Sequence, residues 1–213
     1  QLNGEQRWIL YDRDPDLLTR AVTRVPAAAD GAAVTVETRT RDITRLAAIE
    51  LAGATLITAS ALLDMFSSDE LDRFVTSCAV AQCPVMLSMS VIGRVQLSPA
   101  DPLDEHLSDA FNAHQRRAVG DRRLLGPDAV GVAASVFARL GYDVLIRPSP
   151  WRLGPATVDL LAQWLSGWLA VAARQRPDLD AAISSYRRRR QHQAAIGELA
   201  VVVHHHDLLA VPR

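Results

Sequence analysis

The apolar positions of this chain follow two alternating periods, short runs suited to strands and longer stripes suited to helices. Residues 7–12 (RWILYD) form a β-prone run that ends on an acid. Asp14-Pro15 then supplies a helix cap followed by a first-turn proline, and Leu17, Leu18, Ala21, Val22 and Val25 recur at helical spacing. A second strand is predicted at 33–39 and a buried one at 54–59. Ser67 and Glu70 then fit a capping box, and Leu71, Phe74, Val75 and Cys78 lie on one helical stripe. Strand 84–90 precedes a more polar section, 96–125, expected to be part helix and part loop over the core. A helix from Gly126 to Leu140, stopped by Gly141, leads to a strand at 143–147, helices at 155–173 and 178–195, and a last strand at 199–205. Strands alternating with helices imply an α/β fold: a mostly parallel, doubly wound sheet with helices on both faces. Ligands in such sheets bind at the carboxyl ends of the strands, which directs attention to Asp12, Asp42, Ser60 and Ser90.

Composition narrows the function classes. A chain of 213 residues suffices for one well-cored domain, and 49% hydrophobic with 22% charged residues is ordinary for a globular protein. A net charge of −1 argues against a nucleic-acid binder, which needs a basic face to displace counterions. The run Arg187–Arg190 is the one local exception, read as the solvated face of a helix or as a phosphate or partner contact. No lysine occurs in the sequence, which excludes Schiff-base chemistry and a P-loop lysine within it. Cys78 and Cys83 have no second pair to complete a cysteine zinc site and are read as reduced, structural thiols. No apolar run of about 18 residues is evident, so no membrane span and a cytoplasmic location are expected.

An acid at a strand end can accept hydrogen bonds from both hydroxyls of a ribose. Asp14 is the better helix cap because proline follows it, which leaves Asp12 for that role. With this, the order of elements from residue 7 onward resembles the class I, seven-stranded, Rossmann-like S-adenosylmethionine-dependent methyltransferases. Tyr11-Asp12-Arg13-Asp14-Pro15 is similar to the acidic loop after that family's second strand, Arg41-Asp42-Ile43 to the loop after its third, and Thr58-Ala59-Ser60-Ala61-Leu62-Leu63-Asp64 to the segment after its fourth. The resemblance implies an antiparallel closing strand pair, which suits 143–147 and 199–205. It also implies S-adenosyl-L-methionine as cofactor, held by Asp12, Arg13, Asp42, Ile43, Thr58, Ala59 and Ser60, and a small-molecule acceptor. The family's Gly-x-Gly loop, where backbone must approach the cofactor closely, does not occur in this sequence. The expectation is that a first strand and helix bearing it precede residue 1; a non-catalytic scaffold or partner-binding protein of the same fold is the alternative.

Methyl transfer to oxygen or nitrogen can require a base. Asp64 and His114 are the candidates, against plainer readings as a helix-start acid and a surface histidine. Arg94, His114, Gln115, Trp151 and Arg152 are expected around the acceptor, with 96–125 as its cover and 155–197 as a helical insertion. Trp164 and Trp168 suit a homodimer interface or, more readily, the domain's own core. On the predicted last strand His204 and His206 share one face and His205 the other. That strand end is expected to lie away from the cofactor edge, and no metal site is assigned there.

Overall fold

The computed structural model describes residues 2–213. In chain order it comprises β1 (Gln6–Asp12), α1 (Pro15–Ala21), β2 (Val34–Thr40), β3 (Ile57–Ser60), α2 (Ser68–Val80), β4 (Val85–Ser98), α3 (Asp104–Gln115), a small hairpin of β5 (Ala118–Val119) and β6 (Arg122–Arg123), α4 (Ala129–Arg139), β7 (Tyr142–Pro148), β8 (Trp151–Leu153), α5 (Val158–Gln175), α6 (Asp180–Ala195) and β9 (Ala200–Pro212). The local signals act as the sequence predicts. Asp14 accepts from the N–H groups of Asp16 and Leu17 at the start of α1. The Ser67 and Glu70 side chains cap each other's backbone at the start of α2, a pairing that satisfies two otherwise orphaned N–H donors.

The α/β class and the closing antiparallel strand agree with the sequence-based expectation; the sheet differs in two respects. Parallel pairing is confined to β1–β2 and β3–β4, whereas β4–β9, β7–β9 and β8–β9 are antiparallel. The strands are also split among three sheets in the described residues: β1–β2, a larger one in the order β3-β4-β9-β7 with β8 added on β9, and the small β5–β6 hairpin. β9 is almost twice as long as predicted. It pairs with β8 through Val201–Val203 and with β7 through His206–Pro212. The three histidines therefore lie mid-strand, not at a strand end.

Two cores flank these strands. One packs α2 and α4 on β3, β7 and the first half of β4, around Leu71, Val75, Val85 and Phe137. The other packs α3, α5 and α6 on β8 and the first half of β9, around Leu107, Trp168, Leu169 and Tyr186. Residues 155–175, with mean hydropathy 1.2, are long and apolar enough to cross a membrane by length and composition, contrary to the expectation that no such run exists. In this fold Leu161, Leu165, Trp168 and Leu169 of that segment are buried in the second core. Cys78 and Cys83 are free and buried, and burial pushes the Cys78 thiol up to about 12, so it stays protonated at neutral pH.

Of the arginine run, Arg187 to Arg189 are exposed, as the solvated-face reading expects, but Arg190 is 1% exposed. Its guanidinium donates to Asp104 Oδ1 at 2.6 Å and to the Pro99 carbonyl at 2.6 Å, and it lies 4.8 Å from the Tyr186 ring centroid. Tyr186 donates its hydroxyl to the same Asp104 oxygen at 2.6 Å. This triad fastens α6 to α3.

Candidate functional site

The carboxyl ends of β1, β2 and β3 carry the residues singled out by the sequence. Asp12 Oδ1 accepts from the Asp14 N–H at 2.9 Å, which leaves Oδ2 for a ligand. The Asp12 carbonyl accepts from Arg41 N–H at 2.8 Å, so the ends of β1 and β2 lie side by side. Asp42 serves as a cap: its Oδ1 accepts from both the N–H and the hydroxyl of Thr44. Its carboxyl is held below the usual range, chiefly by that hydroxyl. Ile43 packs on the first core, and Arg13 is exposed. On β3, Thr58 and Ser60 are exposed and Ala59 packs on the first core.

Arg122 relates these loops to one another. It donates to the Met65 carbonyl and to Glu70 at the start of α2, and its charge also helps depress Asp42. The loop after β2 and the loop after β3 therefore share one side of the molecule. Directly after β3, Ala61 has φ +51° and donates its N–H to the Ser88 carbonyl. In β4, Met89 has φ +55°, and its N–H donates to Asp207 Oδ1 at 2.9 Å. A left-handed conformation at a residue with a Cβ costs about 1–3 kcal/mol and tends to cluster at functional sites.

Asp64 lies just beyond Ala61 and is half-buried. Burial raises its carboxyl above the ordinary range, offset only in part by its own N–H, Gln115 and Arg117. Gln115 Nε2 lies 3.4 Å from Asp64 Oδ2. Gln115 in turn lines a cavity of about 200 Å³ between β4, α3, β8, α5 and β9. The cavity wall includes Arg94, Phe111, Asn112, Trp151, Trp164, Trp168, His204 and His205. Trp164 and Trp168 stack with centroids 5.2 Å apart, and Trp151 lies 5.3 Å from His205.

Two glycines allow this arrangement. Gly93 has φ +72°, and its carbonyl accepts from Asn112 Nδ2 at 2.7 Å. A Cβ there would lie 3.0 Å from Asn112 Oδ1 and from Pro127. Gly126, at φ +54°, lets the backbone of Gln115 approach equally closely. Together they set the end of α3, and so Gln115, against β4. Gly93→Ala is expected to lower stability by about 1–3 kcal/mol from backbone strain alone, with the clash added; urea denaturation measures it.

Of the expected acceptor residues, the fold brings Arg94, Gln115 and Trp151 to the cavity. Arg152 is exposed on β8, yet it and Arg94 lie near enough to His204 to add to the lowering of its pKa by burial. His114 stands elsewhere. It is half-buried and absent from the cavity wall, and its pKa is lowered by burial and then by Arg117 and Arg174. His204 bonds Gln96 Oε1 at 2.7 Å. Among the described residues no group of three His, Cys, Asp or Glu side chains is placed to hold a metal ion. His204 and His205, expected away from the site, line its cavity because β9 runs on past them. Phe111 and Asn112, in the 96–125 section expected over the acceptor, line the cavity, whereas nothing in the sequence points to His205 as a cavity residue.

No family model and no curated protein matches this chain. Among solved structures it is similar to an S-adenosylmethionine-dependent methyltransferase from Methanosarcina mazei, at 8% identity and a TM-score of 0.47, over 100% of this chain and 94% of that one. It is similar to a cyclopropane synthase from Mycobacterium tuberculosis at 9% identity and a TM-score of 0.47, over 99% and 79% of the two chains. A cyclopropane-fatty-acyl-phospholipid synthase-like protein from Lactobacillus casei matches at 12% and 0.43, over 97% and 84%.

Proposed function

We propose that this chain is an S-adenosylmethionine-dependent methyltransferase domain acting on a small-molecule acceptor. The observation that carries this reading is the placement of Asp64. It is a half-buried carboxyl of raised pKa between the strand-end loops on one side and, through Gln115, an aromatic cavity on the other. Asp64 is not itself in the cavity wall but stands directly behind Gln115, which is. A proton-accepting group one side chain from an aromatic cavity suits transfer to an O–H or N–H.

The donor set suits the cofactor. Asp12 Oδ2 is left to accept from a ribose hydroxyl, and the Ser60 hydroxyl is exposed at the end of β3. Bound S-adenosylmethionine supplies an electrophilic methyl group on a sulfonium that departs as a neutral thioether. Gln115 orients Asp64 by donating to Oδ2. Asp64, when ionised, would serve as the base that takes the acceptor's proton. The tryptophans exclude water and hold the acceptor's apolar body. The near-neutral overall charge is consistent with a small acceptor.

Calorimetric titration with S-adenosylhomocysteine tests the cofactor assignment. Hydrogen bonds to a charged group contribute about 1.5–3 kcal/mol, so Asp12→Ala is expected to weaken binding about tenfold or more. Absence of binding by the full-length protein would leave the scaffold alternative standing in its place.

A further inference from the structure

Three of the buried side-chain atoms that lack a hydrogen-bond partner among the described residues belong to the wall of one cavity: Trp168 Nε1, His205 Nδ1 and Gln115 Oε1. Trp168 is 2% exposed and His205 5%. Leaving such a group unpaired costs about 1–3 kcal/mol, so native proteins satisfy nearly all of them. Their chemistry is complementary. The indole N–H only donates, the amide oxygen only accepts, and a neutral imidazole does either. Burial lowers the His205 pKa, which keeps that ring neutral at pH 7. The surrounding surface is aromatic and nearly parallel: Trp164 and Trp168 lie at 19° to each other. Apolar cavities of about 150 Å³ already take up benzene, and this one has about 200 Å³.

We propose that this cavity binds a planar aromatic molecule of one ring, or two fused rings, that carries a hydroxyl group. A hydroxyl is a small substituent that can accept from Trp168 Nε1 while donating to Gln115 Oε1. The ring lies against the tryptophans. A carboxylate in place of the hydroxyl would accept from Trp168 but give Gln115 Oε1 nothing, and an alkane would leave every polar atom unpaired. That such a hydroxyarene is also the methyl acceptor rests on the function proposed above; its binding does not.

The test is equilibrium dialysis of the full-length protein against 2-naphthol and naphthalene, with S-adenosylhomocysteine titrated separately. One recovered hydrogen bond, at about 1 kcal/mol, makes 2-naphthol bind at least about fivefold more tightly than naphthalene. Trp168→Phe keeps a ring but removes the donor. It is expected to erase most of that preference, read as the ratio of the two affinities, even where the smaller ring weakens binding of both probes. Equal affinity for the two probes, or no uptake of either by a protein that does bind S-adenosylhomocysteine, overturns the assignment. Preferential uptake of 2-naphthol by a protein that ignores S-adenosylhomocysteine upholds the cavity and refutes the methyltransferase reading.

Discussion

Asp64→Asn is expected to lower turnover by about 10²- to 10⁴-fold, the range that a positioned general base supplies. The substitution keeps the side chain's shape and its proximity to Gln115 while removing its ability to accept the acceptor's proton. In the unaltered protein the rate rises with pH as Asp64 loses its proton. Because burial raises that carboxyl, the rise falls above the ordinary carboxylate range; in the variant this limb of the pH profile disappears. Stability moves the other way. A carboxyl whose pKa is higher folded than unfolded binds more protons in the native state, so stability falls as pH rises between the two values. Asp64→Asn removes that loss, and urea denaturation at neutral pH should find the variant at least as stable as its parent. A variant that loses both activity and stability would point to a packing role for Asp64 and not a catalytic one.

The second large effect is structural. Asp104→Ala leaves the Arg190 guanidinium buried, without its ion-pair partner, and also strips the Tyr186 hydroxyl of its acceptor. Breaking a buried pair from one side costs about 3–5 kcal/mol, which urea denaturation resolves readily. Replacing both partners with apolar residues (Asp104→Leu with Arg190→Met) should recover most of the loss, because no buried charge then remains. The neighbouring pair Arg189–Asp101 has the same chemistry, but its arginine side chain is 51% exposed. Arg189→Ala should change stability by about 1 kcal/mol or less.

Much of this fold is legible in the sequence, and the parts that are not share a cause. Helix starts are marked by local chemistry, and Asp14, Ser67 and Glu70 cap where their spacing predicts. The strand-end acids Asp12 and Asp42 follow from runs of apolar residues that stop on cue. The extent of β4 and β9 was hidden because each strand passes from one core to the other, and its burial changes along its length. Past Gly93, β4 alternates Val95 and Leu97 with Gln96 and Ser98, and a segment that looks polar as a whole is half-buried strand. The cavity was legible only in pieces: Trp151, Gln115 and Arg94 could be nominated singly, but their meeting with His205 depends on pairing over more than fifty residues. Asp42 shows the converse limit. Its place at a strand end is plain in the sequence, while its capping of Thr44 is settled by geometry.

The two long strands differ in regularity. β9 runs unbroken between the cores. Its partner β4 loses register twice, between Leu87 and Ser90 and between Val91 and Val95, with left-handed residues at Met89 and Gly93. Irregularities of this kind bend a strand and concentrate its twist. The pair thus sets an unbroken strand beside a twice-bent one. The second irregularity lies in the cavity wall itself, which Val91, Gly93, Arg94 and Val95 line, so the bend in β4 shapes the tryptophan cavity.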